Sequence, residues 1–448
     1  RENNLFIWKD GLSTRVTDDG GDNLFNGALG WPDALWFSPD GEYLAFLKFD
    51  ETEVPTYTMT SYMAKQRVAP TYPNERLVKY AKAGENISTV TFHLLEVNSP
   101  SAPRKIDFQT YAPDDLIITE SGDAQVVRER DGTDGWLENY FAITCEFSVP
   151  GYIPGLSTPA YVDISDHSGW AHIYLYPVSG GEPIPLTSGN WEVTAIYSVD
   201  VKRGLIHYQS TECDSTERHI FTVSLDGKTK NALMDITKDG YYDASFSPGG
   251  GYYTLSYKGP NLPWQVLRRI GSDTPIRVTN DNASLKNKLS AYSLPIISWS
   301  TLKHPDGYEL NLMERLPPKF RKGKKYPVLF DIYGGPGSQR TEKTFRRTVD
   351  FSAYLGSDPE LEYIVVTVDS RGTGYKGRKF RTMVAGQLGK LEAEDQVWAA
   401  REYAKRDYVD GEKIAIWGGS YGGYLTGKVL ELDSGAFSLG IMTAPVTD

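Results

Sequence analysis

Near the end of the chain, Gly418-Gly419-Ser420-Tyr421-Gly422 has the G-x-S-x-G spacing of a nucleophile elbow. A serine hydroxyl is a weak nucleophile, so it needs a base within hydrogen-bond reach and an acid to orient that base. It must also stand on a tight strand-to-helix turn, where only small residues fit beside it. Ile414–Trp417 reads as a strand and Tyr421–Leu432 as a helix, so Ser420 lies at the required junction. The competing reading is an incidental glycine-rich turn. Acyl transfer passes through an oxyanion, for which the Tyr421 backbone N–H is one donor by position. The loop Asp331-Ile332-Tyr333-Gly334-Gly335-Pro336-Gly337, after a strand at Tyr326–Tyr333, is the kind that supplies a second. The Tyr333 hydroxyl is the candidate there; otherwise Tyr333 is a core tyrosine at a strand end.

The base is the difficulty. The six histidines are His93, His167, His172, His207, His219 and His304, and none follows His304. In α/β hydrolases the acid and the base come after the serine. Residues 421–448 contain Asp433 and Asp448 but no histidine, and Asp448 reads as a loop aspartate. The acids Glu392, Glu394 and Asp395, at the start of a helix expected over Leu388–Lys405, read as a solvated face rather than a catalytic cluster.

The elements that must position Ser420 fall into two regions. Through about residue 300 the chain alternates short apolar and polar runs between Gly, Asp, Asn and Pro clusters, with strands expected at Val193–Val199, Leu205–Tyr208 and His219–Val223. Leu35-Trp36-Phe37-Ser38-Pro39-Asp40-Gly41 and Ala244-Ser245-Phe246-Ser247-Pro248-Gly249-Gly250 share one phrase, an aromatic strand end meeting a Ser-Pro turn, with a Tyr-led strand after it. That is the inner hairpin of a propeller blade, and ~40–50 residues per blade allow six or seven of them. An all-β sandwich array is the alternative. From about Pro305, strands at Tyr326–Tyr333, Ile364–Asp369, Ile414–Trp417 and Leu439–Ala444 alternate with helices, which predicts a parallel α/β sheet. The expected domains are a β-propeller over 1–300 and the first part of an α/β hydrolase over 301–448.

Composition narrows the function classes. The chain has 448 residues, 40% hydrophobic, with a net charge of −11 and mean hydropathy of −0.41. No apolar run approaches the ~20 residues of a membrane helix. A pI near 5.2 without a Lys/Arg block argues against a nucleic-acid partner. Two cysteines, Cys145 and Cys213, make no zinc site and no disulfide framework, although the two could pair. No metal or cofactor is expected. Asn86-Ile87-Ser88 and Asn282-Ala283-Ser284 are glycosylation sequons, which permit the secretory pathway without requiring it.

Three phrases together resemble the prolyl oligopeptidase family, peptidase family S9: Tyr333–Gln339, Val368-Asp369-Ser370-Arg371-Gly372-Thr373-Gly374-Tyr375, and Gly418–Tyr424. Leu47–Pro55, Arg130-Asp131-Gly132-Thr133-Asp134-Gly135-Trp136 and Asp166-His167-Ser168-Gly169-Trp170 are similar to its dipeptidyl peptidase IV branch, nearest to the fungal vacuolar dipeptidyl aminopeptidases. The resemblance implies an eight-bladed propeller, incomplete here, followed by a truncated α/β-hydrolase domain. It implies release of N-terminal Xaa-Pro or Xaa-Ala dipeptides through an acyl-enzyme on Ser420, with Tyr333 and the Tyr421 N–H holding the oxyanion. Tyr421 and Val446 would line the proline pocket, although Val446 has an alternative as simple packing after a strand. It further implies a homodimer of the whole protein and a vacuolar membrane location, with a lumenal catalytic domain behind an N-terminal anchor; secretion is the alternative.

Three departures stand against the pattern. The family's Asp and His lie beyond Asp448, so the chain reads as an internal fragment expected to hydrolyse no Xaa-Pro-nitroanilide. The branch's Glu-Glu pair, which binds the substrate ammonium, belongs between Gly27 and Ala34, where the only acid is Asp33. That interval and Ile118–Arg130 read as local deletions. Gly419 stands where the branch has Trp. The rival readings are a non-catalytic propeller–hydrolase binding protein and a plain esterase using the same elbow.

Overall fold

The computed structural model describes all residues except 1, 28–33, 39, 63–69, 83, 99–101, 107–114, 119–123, 129–131, 133–134, 137, 139–158 and 448. The chain forms two compact units, Arg1–Glu129 and Arg130–Asp448.

The first unit is antiparallel throughout. Strands β1 (Phe6–Lys9) and β2 (Leu12–Arg15) make a hairpin. A sheet is built from β3 (Leu24–Asn26), β4 (Leu35–Phe37), β5 (Tyr43–Asp50), β8 (Thr89–Glu96) and β9 (Arg104–Ile106). Two further hairpins are β6 (Thr56–Ser61) with β7 (Asn74–Lys79), and β10 (Asp115–Ile118) with β11 (Ala124–Arg128). Strands β3 and β4 share one line on β5, with Asn26 opposite Lys48 and Leu35 opposite Phe46. Between them Gly27 N–H donates to the Leu47 carbonyl and Leu47 N–H to the Ala34 carbonyl, at 2.8 and 3.0 Å. Ala34 N–H also donates to the Gly27 carbonyl at 2.6 Å. The interval expected to carry the acid pair, residues 28–33, lies outside the described residues.

The second unit begins with blades. Strands β12 (Ala160–Ser165), β13 (His172–Pro177) and β14 (Ile184–Pro185) form one sheet. The next contains β15 (Val193–Asp200), β16 (Leu205–Ser210), β17 (His219–Ser224) and β18 (Lys230–Ala232) in sequence order. A third four-stranded sheet follows from β19 (Tyr241–Phe246), β20 (Tyr252–Gly259), β21 (Trp264–Arg269) and β22 (Arg277–Asn280). Period-two alternation explains why β17 is buried on both sides. Phe221 and Val223 join Val162, Ile173 and Leu175 in one core, while Ile220 joins Tyr242, Tyr253 and Leu255 in the next. Both Ser-Pro phrases are hairpin turns of one design. Ser38 N–H donates to the Tyr43 carbonyl and Gly41 N–H to Ser38, and Ser247, Tyr252 and Gly250 repeat those bonds.

A short helix, α1 (Ala283–Leu289), leads into a six-stranded sheet. Its strands are β23 (Ile296–Lys303), β24 (Glu309–Leu316), β25 (Tyr326–Ile332), β26 (Ile364–Asp369), β27 (Val409–Gly419) and β28 (Leu439–Thr443), in the order β23-β24-β26-β25-β27-β28. The last four in that order run parallel, whereas β23 and β24 are antiparallel additions. The expected all-parallel sheet is therefore corrected to a mixed one, because the sequence reading missed the β23–β24 hairpin. The helices are α2 (Phe351–Ser357), α3 (Arg378–Thr382), α4 (Lys390–Ala404) and α5 (Tyr421–Glu431). Val328, Phe330, Val366, Ile416, Val397 and Leu425 belong to the core that α4, α5 and the sheet share.

Candidate active site

Ser420 links β27 to α5 with φ 56° and ψ −122°, a region that non-glycine residues rarely occupy. Four backbone bonds hold it there. Its N–H donates to the Thr443 carbonyl on β28, and its own carbonyl accepts from the N–H groups of Gly423, Tyr424 and Val446, at 2.9, 3.1 and 3.4 Å. The hydroxyl makes no capping bond to the helix and is exposed. A Cβ at Gly418 would lie 2.3 Å from the Gly422 carbonyl oxygen, and one at Gly422 would lie 2.4 Å from that of Ile332. These two glycines are therefore obligatory. Gly419 differs, since a Cβ there would meet only the Thr443 oxygen, at an ordinary 3.8 Å. The position where the sequence comparison expects the branch's Trp thus has room for a side chain.

Tyr333 follows β25 directly, and its ring lies 6.3 Å from that of Tyr421. Beside it is a cavity of about 380 Å³, also lined by Ser338, Gln339, Arg340, Arg346 and Asp350. The Tyr333 loop is tied down on two sides. Asp369, fully buried at the end of β26, accepts from the N–H groups of Arg340 and Thr341. Gly337 N–H donates to the Gly372 carbonyl, and Gly374 N–H to that of Ser338. The blades hold the same loop: Arg218 donates to Gln339 Oε1 at 2.9 Å, and Lys343 pairs with Glu217 and Asp239. Val446 is exposed, and it reaches the site through its N–H bond to Ser420.

The acids of α4 do not form a solvated face. Glu394 does face solvent, but Glu392 and Asp395 are completely buried. Asp395 accepts from the Arg371 backbone N–H, the Arg371 Nε and the Tyr308 hydroxyl, at 2.7, 2.9 and 2.9 Å. Glu392 Oε1 accepts from the Tyr421 hydroxyl at 2.7 Å. Burial, aided by that carboxylate, pushes the Tyr421 phenol well above its usual range. No apolar stripe marked this face in the sequence, because Glu392, Asp395 and Gln396 are polar and are buried only through partners elsewhere in the chain.

Four histidines of the second unit make other contacts. His172 bonds Thr187 Oγ1 and the Gly189 carbonyl, His207 bonds Ser198 Oγ, His219 bonds the Lys238 carbonyl, and His304 stacks on Tyr308. Cys213 is free and exposed, while Cys145 lies outside the described residues, as does Asp448. Asn86 is exposed, whereas Asn282 precedes α1 and donates its Nδ2 to the Pro263 carbonyl.

Antiparallel blades followed by a hydrolase sheet with a strained serine elbow define a β-propeller/α/β-hydrolase protein. A family model for the dipeptidyl peptidase IV N-terminal region matches residues 1–122 and 115–264, and the prolyl oligopeptidase family model matches 349–448. The chain belongs to this family, in its dipeptidyl peptidase IV branch. It is 48% identical to a probable dipeptidyl peptidase 4 of Emericella nidulans over 488 positions, covering 100% of this chain and 63% of that protein. It is 47% identical to the dipeptidyl peptidase 4 of Trichophyton rubrum over 489 positions, covering 100% and 62%. The crystal structure of Porphyromonas gingivalis dipeptidyl peptidase 4 superposes with a TM-score of 0.86 at 30% identity, covering 100% of this chain and 66% of that one. The chain therefore spans just under two thirds of these relatives. The alignment with the Emericella protein also has more positions than the chain's 448 residues, so that relative carries internal segments absent here.

Proposed function

We propose that this chain carries the propeller (1–300) and the elbow-bearing hydrolase part (301–448) of a serine-type dipeptidyl peptidase. The single observation that carries the reading is Ser420, exposed and strained between two obligatory glycines, with Tyr333 across from Tyr421. Ser420 Oγ attacks the carbonyl after the second residue of a peptide, and the Tyr421 N–H and Tyr333 hydroxyl receive the oxyanion. The scissile C–N bond breaks as the leaving amine takes a proton, and water then hydrolyses the ester to free an N-terminal Xaa-Pro or Xaa-Ala dipeptide. Tyr421 and Val446 wall a pocket suited to a pyrrolidine ring. The base and its orienting acid are taken to come from outside residues 1–448.

Peptides with Pro or Ala at the second position are the proposed substrates. A homodimer, a vacuolar membrane location with the catalytic domain in the lumen, and glycans at Asn86 and Asn282 extend the proposal. In the complete protein, Ser420→Ala is expected to lower kcat for Ala-Pro-nitroanilide by about 10⁴-fold or more. Residues 1–448 alone should give no turnover above that control. An active Ser420→Ala protein would overturn the reading. The engagement of His172, His207, His219 and His304 away from Ser420 favours, as a second reading, a non-catalytic binding protein. Unaltered peptides retained by the complete protein would support it.

A further inference from the structure

We infer that Glu392 is a positioning residue, whose buried carboxylate fixes the Tyr421 ring and so sets the wall of the pocket that selects the substrate's second residue. The inference rests on the dipeptidyl-peptidase reading of Ser420 given above.

Glu392 lies in the first turn of α4, and its side chain is fully buried. One carboxylate oxygen accepts the Tyr421 hydroxyl, while the other is buried without a partner among the described residues. A buried carboxylate normally demands several donors, because desolvation is costly and a single neutral phenol offsets little of it. Packing alone gives no reason for an acid here, since Ala393, Val397 and Ala400 already supply the apolar contacts of α4. A local rule broken at such cost, one side chain away from the nucleophile, points to function.

The geometry shows what the acid does. Tyr421 opens α5, and one turn later Tyr424 donates its hydroxyl to the Leu388 carbonyl at 2.9 Å. Gly389 allows this approach, with left-handed φ 82° and a Cβ position only 2.5 Å from the Tyr424 hydroxyl. Two phenols at i and i+3 therefore grip the start of α4. Tyr424 stands edge-on to Tyr421 with ring centres 5.4 Å apart, which blocks one side of the Tyr421 ring. Against slippage along its own axis, the bond to the Glu392 carboxylate acts together with the nearby Gly389 backbone. The ring held in this way is the proposed proline wall and faces Tyr333.

The test compares Glu392→Gln, Glu392→Leu and Tyr421→Phe in the complete protein, using Ala-Pro-nitroanilide, Ala-Ala-nitroanilide and p-nitrophenyl acetate. The acetate needs the elbow and oxyanion donors but has no side chain to seat. Glu392→Leu is expected to raise KM for Ala-Pro-nitroanilide and cut the Pro/Ala ratio of kcat/KM at least tenfold, with acetate turnover changed less than threefold. Glu392→Gln keeps an acceptor oxygen and should restore the ratio. Tyr421→Phe removes the same bond from the other side, so its Pro/Ala ratio should fall as in Glu392→Leu, with no further fall of that ratio in the double variant. With 3-fluorotyrosine at position 421, the ¹⁹F line should shift or broaden in Glu392→Leu and not in Glu392→Gln. A parallel loss on all three substrates, a Pro/Ala ratio within twofold of wild type, or an unmoved ¹⁹F line overturns the inference. Wild-type protein that cleaves the acetate but neither anilide overturns the dipeptidyl-peptidase reading instead. The ¹⁹F line then decides alone whether Glu392 holds Tyr421.

Discussion

The strain at Ser420 is affordable because its neighbours are so tightly specified. A residue in that region of backbone space costs about 1–3 kcal/mol, and here four backbone hydrogen bonds offset it. The two glycines that precede it have different status, and this can be measured. Gly418→Ala pushes a Cβ into the Gly422 carbonyl oxygen at 2.3 Å and is expected to cost about 1–3 kcal/mol in urea unfolding. Gly419→Ala should stay within about 0.5 kcal/mol of wild type. Equal losses would show that the spacing argument is wrong. At this scale the sequence revealed Ser420, because the elbow's chemistry and its turn sterics fall on one short stretch. It concealed Glu392 and Asp395, whose burial depends on Tyr421 and on Arg371, residues distant along the chain. Charge suggested solvent, but tertiary partners decided otherwise.

Strands β16 and β17 are buried on both faces, so their polar residues are trapped with few partners. His207 is such a residue, tilted against Phe246 with its Nε2 buried and unbonded among the described residues. Burial pushes it down to about 4, and also lowers His172 and His219. In the unfolded chain these imidazoles take a proton near pH 6.5, whereas the folded blade resists it. Stability is therefore lost as pH falls from about 6.5 toward 4, by roughly 3 kcal/mol for His207 alone. The urea midpoint should fall between pH 7 and 4.5, and His207→Gln should flatten that fall; an identical slope in the variant would refute the assignment. The blades were legible because alternation and Ser-Pro turns are local signals. The β23–β24 hairpin was not, since its strands join a sheet whose other members come later in the chain. Period alone does not say which sheet a strand enters.

Within the unit from Arg130 to Asp448, buried charges join the blades to the hydrolase sheet. Arg381 of α3 pairs with Asp166, both fully buried, and Gly377 N–H donates to buried Glu192. Removing one member of a buried pair typically costs about 3–5 kcal/mol. Asp166→Ala is expected to lose about 3 kcal/mol and to split a single calorimetric transition of this unit into two, one for the blades and one for the hydrolase sheet. A transition that remains single would mean that the contact is incidental.

The paired strands β3 and β4 have a further consequence. Their ladder with β5 closes through Gly27, Leu47 and Ala34, so the blade keeps its register whatever length of chain leaves and returns at that gap. Doubling such an excursion costs only about 0.6 kcal/mol of closure entropy. The gap is in effect a cassette port. A segment of another length could be gained, lost or grafted there with little trace in folding.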